Sequence, residues 1–152
     1  MVELIIPGNP CAKGRPRWSR HGTYTPEKTV AYETLIKELF VIKYPNFKPL
    51  ERSLSLNMIA QFSVPKSASK KKRAEMLAGK IRPSGRPDID NIIKIFADAL
   101  SGLAYRDDSQ IATVSARKVY GETSQVWITI SENGIEKLLS GLAYSDDIRQ
   151  KR

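Results

Sequence analysis

The chain has 152 residues, 41% of them hydrophobic, and a formal net charge of +9. That length suits one domain with one core, and the charge points to a polyanionic partner, of which nucleic acid is the commonest. One cysteine and one histidine exclude an internal disulfide and a Cys/His zinc site within one chain, and leave no Ser-His-Asp constellation around His21. A lone thiol fits a reducing cytoplasm. No apolar run reaches the ~20 residues of a membrane span. The opening Met-Val-Glu-Leu-Ile-Ile-Pro lacks the basic start and long apolar stretch of a secretory signal.

Val2–Ile6 is short, apolar and β-branched, and Pro7-Gly8-Asn9-Pro10 stops it, which predicts a first strand. Residues 11–26 follow as a basic loop interleaved with aromatics and turn residues: Lys13, Arg15, Arg17, Trp18, Arg20 and Tyr24. Its arginines can reach phosphates, and Trp18 or Tyr24 can stack on an unpaired base or pack on the core. Thr25-Pro26-Glu27 is a helix start, with Thr as cap and Pro at the first helical position, and the helix should run to about Tyr44. Val30, Tyr32, Leu35, Ile36, Leu39, Phe40 and Ile42 supply its apolar side chains.

Residues 53–63 begin with strict alternation, so Leu54, Leu56 and Met58 share one face of a strand. Lys70, Lys71, Lys72 and Arg73 open a short basic helix that ends at Gly79, and residues 80–87 should be extended. Such a charge run serves equally as a solvated face or as a backbone-binding one. The second main helix runs from Asp88–Asp90 to Leu103, with Ile92, Ile93, Phe96, Ala97, Leu100 and Leu103 as its buried stripe. Asp90, Lys94 and Asp98 follow at four-residue spacing on the other side. After a turn at Asp107–Gln110, residues 111–120 and 125–130 read as a hairpin around Gly121–Ser124. Residues 133–141 suit a last short helix. Within the tail, Ser140-Gly-Leu-Ala-Tyr144 with Asp146-Asp147 copies Ser101-Gly-Leu-Ala-Tyr105 with Asp107-Asp108, but no Asp-x-Asp precedes the copy. The expected fold is α+β: a small mixed sheet in the order β-α-β-α-β-β with two main helices packed on it. Residues 1–132 would form this domain, with 133–152 as a tail.

The chemistry concentrates at Arg86-Pro-Asp-Ile-Asp-Asn-Ile-Ile-Lys94, an acidic patch in a basic chain. Cutting a phosphodiester needs an activated water and neutralisation of charge on the phosphate, which a hard divalent ion held by carboxylates can supply. Asp88 and Asp90 flank Ile89, so an extended chain would carry both on one side. At a helix entry both can converge, with Asp108 arriving from the following loop. Lys94 can stabilise the charged phosphate or assist a water, and Asn91 can orient a carboxylate or a water. The same residues also suit plainer work: an aspartate cap, an Asp90–Lys94 surface pair, and a turn at Asp107-Asp108.

The full string, from Arg86-Pro-Asp88-Ile-Asp90-Asn91-Ile-Ile-Lys94 through Asp98-Ala-Leu100 and Gly102 to Tyr105-Arg-Asp107-Asp108-Ser-Gln110-Ile111, closely resembles the RusA family of Holliday junction resolvases. Lys13-Gly14-Arg15-Pro16-Arg17 and Tyr24-Thr25-Pro26 resemble its phage and prophage branch. The similarity spans roughly residues 2–130. It implies a small α+β homodimer that uses Mg²⁺, for which Mn²⁺ can often substitute, to make paired nicks in four-way DNA junctions during recombination and repair. By motif position it assigns metal binding to Asp88, Asp90 and Asp108, with Asp107 beside them, and the essential lysine to Lys94. The basic residues expected on DNA are Lys13, Arg15, Arg17, Lys70, Lys71, Lys72, Arg73 and Arg86. The alternatives are a nuclease of the same fold acting on branched or flap DNA, and a non-catalytic DNA-binding relative.

Overall fold

Residues 1–133 are described by the structure, a computed structural model. The helix expected over 133–141 and the duplicated Ser-Gly-Leu-Ala-Tyr segment lie outside them, apart from Asn133. Strand β1 is Val2–Pro7, where Val2, Leu4 and Ile6 are buried and the residues between them are exposed. A small hairpin, β2 (Arg17–Ser19) and β3 (Gly22–Tyr24), rises from the basic loop, which the sequence reading leaves unstructured. Helix α1 (Glu27–Lys43), strand β4 (Leu54–Ser63), helix α2 (Lys70–Leu77) and helix α3 (Ile89–Leu100) follow. A 3₁₀ turn (Asp108–Gln110) then leads into β5 (Ile111–Gly121) and β6 (Gln125–Glu132). Among the described residues no helix is long and apolar enough to cross a membrane.

The architecture is α+β, with one mixed four-stranded sheet in the order β1-β6-β4-β5. This corrects the expected hairpin. β5 and β6 are not neighbours, because β4 lies between them, parallel to β5 and antiparallel to β6. The loop joining them passes over the end of β4 and is fastened there. Gln61 Nε2 donates to the Thr123 carbonyl at 2.8 Å, and the Ser63 amide donates to Ser124 Oγ at 2.9 Å. Short-range alternation reports that each segment is a strand, but not which strand it pairs with.

One face of the sheet is covered. Ile36 and Phe40 of α1 and Ile92, Ile95, Phe96, Ala99 and Leu100 of α3 pack on Leu4, Ile6, Leu56, Met58, Ile128 and Ile130 in one core. Tyr32 meets Phe96 edge to face at 6.0 Å between ring centroids. The stripe of α3 differs in detail from the expected one: Ile95 and Ala99 are buried, while Ile93 and Leu103 are only partly so. On α1, Val30 and Ile42 face solvent. That helix starts one residue later than expected, with Pro26 as its cap.

Helix α3 also ends at Leu100 rather than Leu103. Ser101 is extended (φ −62°, ψ 132°) and Gly102 takes φ +79°, a left-handed conformation that glycine reaches without steric cost. The chain then turns back, and Tyr105 is fully buried with its hydroxyl donating to the Ala97 carbonyl at 2.8 Å. The same carbonyl accepts the Ser101 amide at 3.2 Å. Tyr105→Phe therefore leaves no orphaned acceptor and should cost only about 1 kcal/mol. Tyr105→Ala empties a buried ring site and should cost about 3–5 kcal/mol. Urea unfolding of the two variants measures the difference, and equal losses would show that the hydroxyl, not the ring, dominates.

Candidate active site

The site grows from the entry of α3. Asp88 is its cap residue, extended at φ −72° and ψ 141°, but its carboxylate makes no capping hydrogen bond. Only its carbonyl is used, accepting the Ile92 amide at 3.1 Å. The capping alternative for this aspartate is thus not what the geometry shows. Asp88 instead lines two clefts. One, of about 440 Å³, is formed with Ala12, Arg15, Arg86 and Asn91. The other, of about 460 Å³, is formed with residues 82–85, Ile89, Asp90, Ala116, Arg117 and Lys118. Asp88 and Asp90 therefore share a cleft wall.

Lys94 does not pair with Asp90. Its ammonium donates to Asp98 at 2.8 Å and to Asp108 at 3.2 Å. Asp98 is also paired with Lys13 at 3.1 Å, and Lys13 in turn with Glu33. The result is an alternating chain, Glu33–Lys13–Asp98–Lys94–Asp108, running from α1 through the N-terminal loop and α3 to the 3₁₀ turn. Donating hydrogen bonds to Asp98 and then Asp108 raises the Lys94 pKa. Partial burial works against the charged form of Asp98, but the hydrogen bonds from Lys94 and Lys13 outweigh it, so its pKa falls below the ordinary carboxylate value.

The adjacent aspartates have different work. Asp107 caps the 3₁₀ turn, accepting the Ser109 amide at 2.9 Å while Gln110 Oε1 accepts the Asp107 amide at 3.0 Å. Gln110 Nε2 then donates to the carbonyls of Leu50 and Arg52 at 3.0 and 3.1 Å. The turn is thereby tied to the segment before β4, with Asp108 left to meet Lys94. Gln110 appears in the sequence motif without a role, because its partners are about sixty residues away.

The basic loop is moored to α3. The Lys13 amide donates to the Asn91 carbonyl at 2.8 Å, and the Gly14 amide donates to Thr29 Oγ1 at 3.2 Å. A Cβ at Gly14 would stand 2.7 Å from that hydroxyl oxygen, so the close approach requires glycine. Lys13, expected on DNA, is instead paired within the protein, whereas Arg15 and Arg86 open into the cleft beside Asp88. Arg17 lies on the exposed hairpin with Trp18, whose surface is 86% accessible. Lys70, Lys71 and Lys72 are exposed on α2, and Arg73 is paired with Glu122. Arg82 and Arg117 add two basic residues to the second cleft. Arg117 gives no local signal, because only the parallel β4–β5 pairing brings it there.

The donors Asp88, Asp90 and Asp108 match a hard divalent cation in type. Among the described residues, however, no three Asp, Glu, His or Cys side chains close around one point as a finished cage. Asp108 is engaged by Lys94, while among the described residues the Asp88 side chain has no such partner.

The depressed pKa of Asp98 sets a pH dependence. Stability from its ion pairs is complete above the unfolded value of 3.8 and is lost as pH falls through the lower folded value. Wild type should therefore be more stable than Asp98→Asn at pH 7, with the gap closing below about pH 4. Chemical unfolding across that range checks this, and a gap independent of pH would remove the ion pairs as its cause.

The sequence pattern of the family Endodeoxyribonuclease RusA matches residues 7–131. Over 136 residues the chain is 31% identical to the uncharacterized protein YqaN of Bacillus subtilis (strain 168), covering 86% of this chain and 96% of that one. Over 50 residues it is 42% identical to the crossover junction endodeoxyribonuclease rusA of Lactococcus phage r1t, covering 32% of this chain and 38% of that one. The family pattern runs from the last residue of β1 into β6 and includes both aspartates of the α3 entry, Lys94 and Asp108. The chain belongs to the RusA family and is an endodeoxyribonuclease.

Proposed function

We propose that this chain resolves four-way DNA junctions, as a homodimer that nicks two opposed strands and works with Mg²⁺. The observation that carries this reading is the uncommitted carboxylate of Asp88. It stands at a helix entry between two clefts that hold Arg15 and Arg86 on one side and Arg82 and Arg117 on the other. The phage relative's name, crossover junction endodeoxyribonuclease, supports the substrate. Two active sites in a dimer suit a reaction that requires two cuts.

Asp88, Asp90 and Asp108 are the proposed metal-binding residues. The commitment of Asp107 to its own turn favours Asp108 as the third. A divalent ion bound there supplies charge neutralisation at the phosphate and a more acidic water. The protein's share is positional and electrostatic. Lys94, steadied by Asp98, offers a fixed cation to the developing negative charge. Asn91 lines the same cleft as Asp88 and can orient a water. Arg15 and Arg86, which line the cleft with Asp88, would receive backbone phosphates. Lys13 acts indirectly, holding the loop that carries Arg15. The exposed Trp18 offers a face for an unpaired base near a branch point, and Lys70, Lys71, Lys72 and Arg73 would meet the duplex arms. Residues 1–132 form the proposed nuclease domain, and a cytoplasmic location accords with the single thiol.

The reading is tested by cleavage of a mobile four-way junction, a flap and a linear duplex in Mg²⁺. Paired nicks on the junction with the duplex left intact are expected, and preferential cutting of the flap would favour the flap nuclease instead. Asp90→Asn should lower junction cleavage at least about 100-fold while junction binding stays near wild type. A variant that cuts normally would overturn the metal assignment. Binding should weaken steeply with salt if phosphate contacts dominate, and a flat response would remove the role given to the basic residues.

A further inference from the structure

Residues 82–88 lead into α3 without helix or strand, four residues beyond the end of α2. They deliver Asp88, yet the backbone of 82–87 has very little to hold it. Lys118 of β5 supplies what there is: its ammonium donates to the Gly85 carbonyl and, at 3.0 Å, to the Pro87 carbonyl. Among the described residues no other hydrogen bond reaches that stretch of backbone. The ammonium is itself located, lying 5.6 Å from the centroid of the Phe62 ring on the neighbouring strand. Lys118 also lines the cleft that contains Asp88 and Asp90.

The geometry points to Lys118 as a positioning residue that aims the Asp88 carboxylate by holding the two carbonyls in front of it. The Pro87 carbonyl belongs to the planar peptide unit that ends at the Asp88 nitrogen. Fixing that oxygen fixes the plane from which the Asp88 side chain projects. This matters here because the Asp88 carboxylate has no capping bond of its own to orient it. Groups that orient a metal ligand from behind typically contribute 10–100-fold in metal affinity. The inference rests on the proposed assignment of Asp88 as a metal ligand.

The sign of the effect separates this role from the others a lysine could have. A cation that merely stood near two carboxylates would repel a second cation, so removing it would tighten metal binding. A lysine that merely held the fold together would lower the unfolding temperature and leave metal affinity unchanged. Positioning predicts the opposite of the first and more than the second.

The test is Mn²⁺ binding by titration calorimetry on the metal-stripped full chain without DNA, alongside thermal unfolding of the metal-free protein. Lys118→Met should bind Mn²⁺ about tenfold more weakly, with an unfolding temperature near wild type. Lys118→Arg, which keeps the charge and the donors, should recover most of the affinity. If the methionine variant does not fold, Lys118→Gln takes its place with the same expectation. Unchanged or tighter binding would overturn the proposal. Asp88→Asn in the same titration isolates the underlying assignment. If it leaves Mn²⁺ binding intact, that assignment fails and the Lys118 role falls with it. If Asp88→Asn loses the metal and Lys118→Met does not, only the Lys118 role falls.

Discussion

Helix α3 has one permitted rotation about its axis, and the site depends on it. Ile92, Ile95, Phe96, Ala97, Ala99 and Leu100, six of its twelve residues, are buried. Turning the helix by one residue position, about 100°, would bring apolar side chains to solvent and charge toward the core. Each fully buried aliphatic or aromatic side chain contributes about 1.5–3 kcal/mol, so the packing overwhelms any preference of the charged side. Asp90, Lys94 and Asp98 are thereby held on the outer side, each four-residue step advancing only about 40° around the axis. Hydrophobic burial, not charge pairing, decides where the charged groups stand.

Charge pairing then decides what each of those groups can do. The chain from Glu33 through Lys13, Asp98 and Lys94 to Asp108 links four parts of the protein that meet at α3. Its half-exposed members add little net stability by themselves. Their value is geometric. Lys13 brings the arginine-bearing loop against α3, and Asp98 keeps Lys94 on the outer side of the helix beside the 3₁₀ turn. The turn itself is fixed from the other direction, by Gln110 on the backbone before β4 and by Arg106 on Glu51 at 2.7 Å. The carboxylates and the lysine thus arrive from elements that are each anchored elsewhere.

Much of this was legible in the residues. The 3.6-residue period of α3, the short β-branched run of β1 and the alternation of β4 identify the elements, and four-residue spacing puts Asp90, Lys94 and Asp98 on one side of the helix. Long-range partners were not legible. Residues 111–130 look like a hairpin because the local pattern cannot reveal that β4 enters between the two strands. Lys13 looks like a phosphate ligand because Glu33, twenty residues on, and Asp98, eighty-five on, carry no mark in the sequence of meeting it. By position Asp88 reads as a helix cap, yet its carboxylate makes no capping hydrogen bond. Lys118 had no signal at all, since its role comes from a parallel pairing and from carbonyls of an irregular segment. The apolar period predicts an α3 that reaches Leu103, but the extended Ser101 and the left-handed Gly102 end it at Leu100.

The proposed metal site consists of Asp88, Asp90 and Asp108 at the entry of α3. Anomalous diffraction from crystals of the full chain equilibrated with Mn²⁺ tests it directly. The predicted result is a peak about 2–2.5 Å from carboxylate oxygens of these three aspartates, with Lys94 still on Asp98. A peak remote from Asp88 and Asp90 would contradict it, as would no peak in crystals whose redissolved protein still cuts junctions in Mn²⁺.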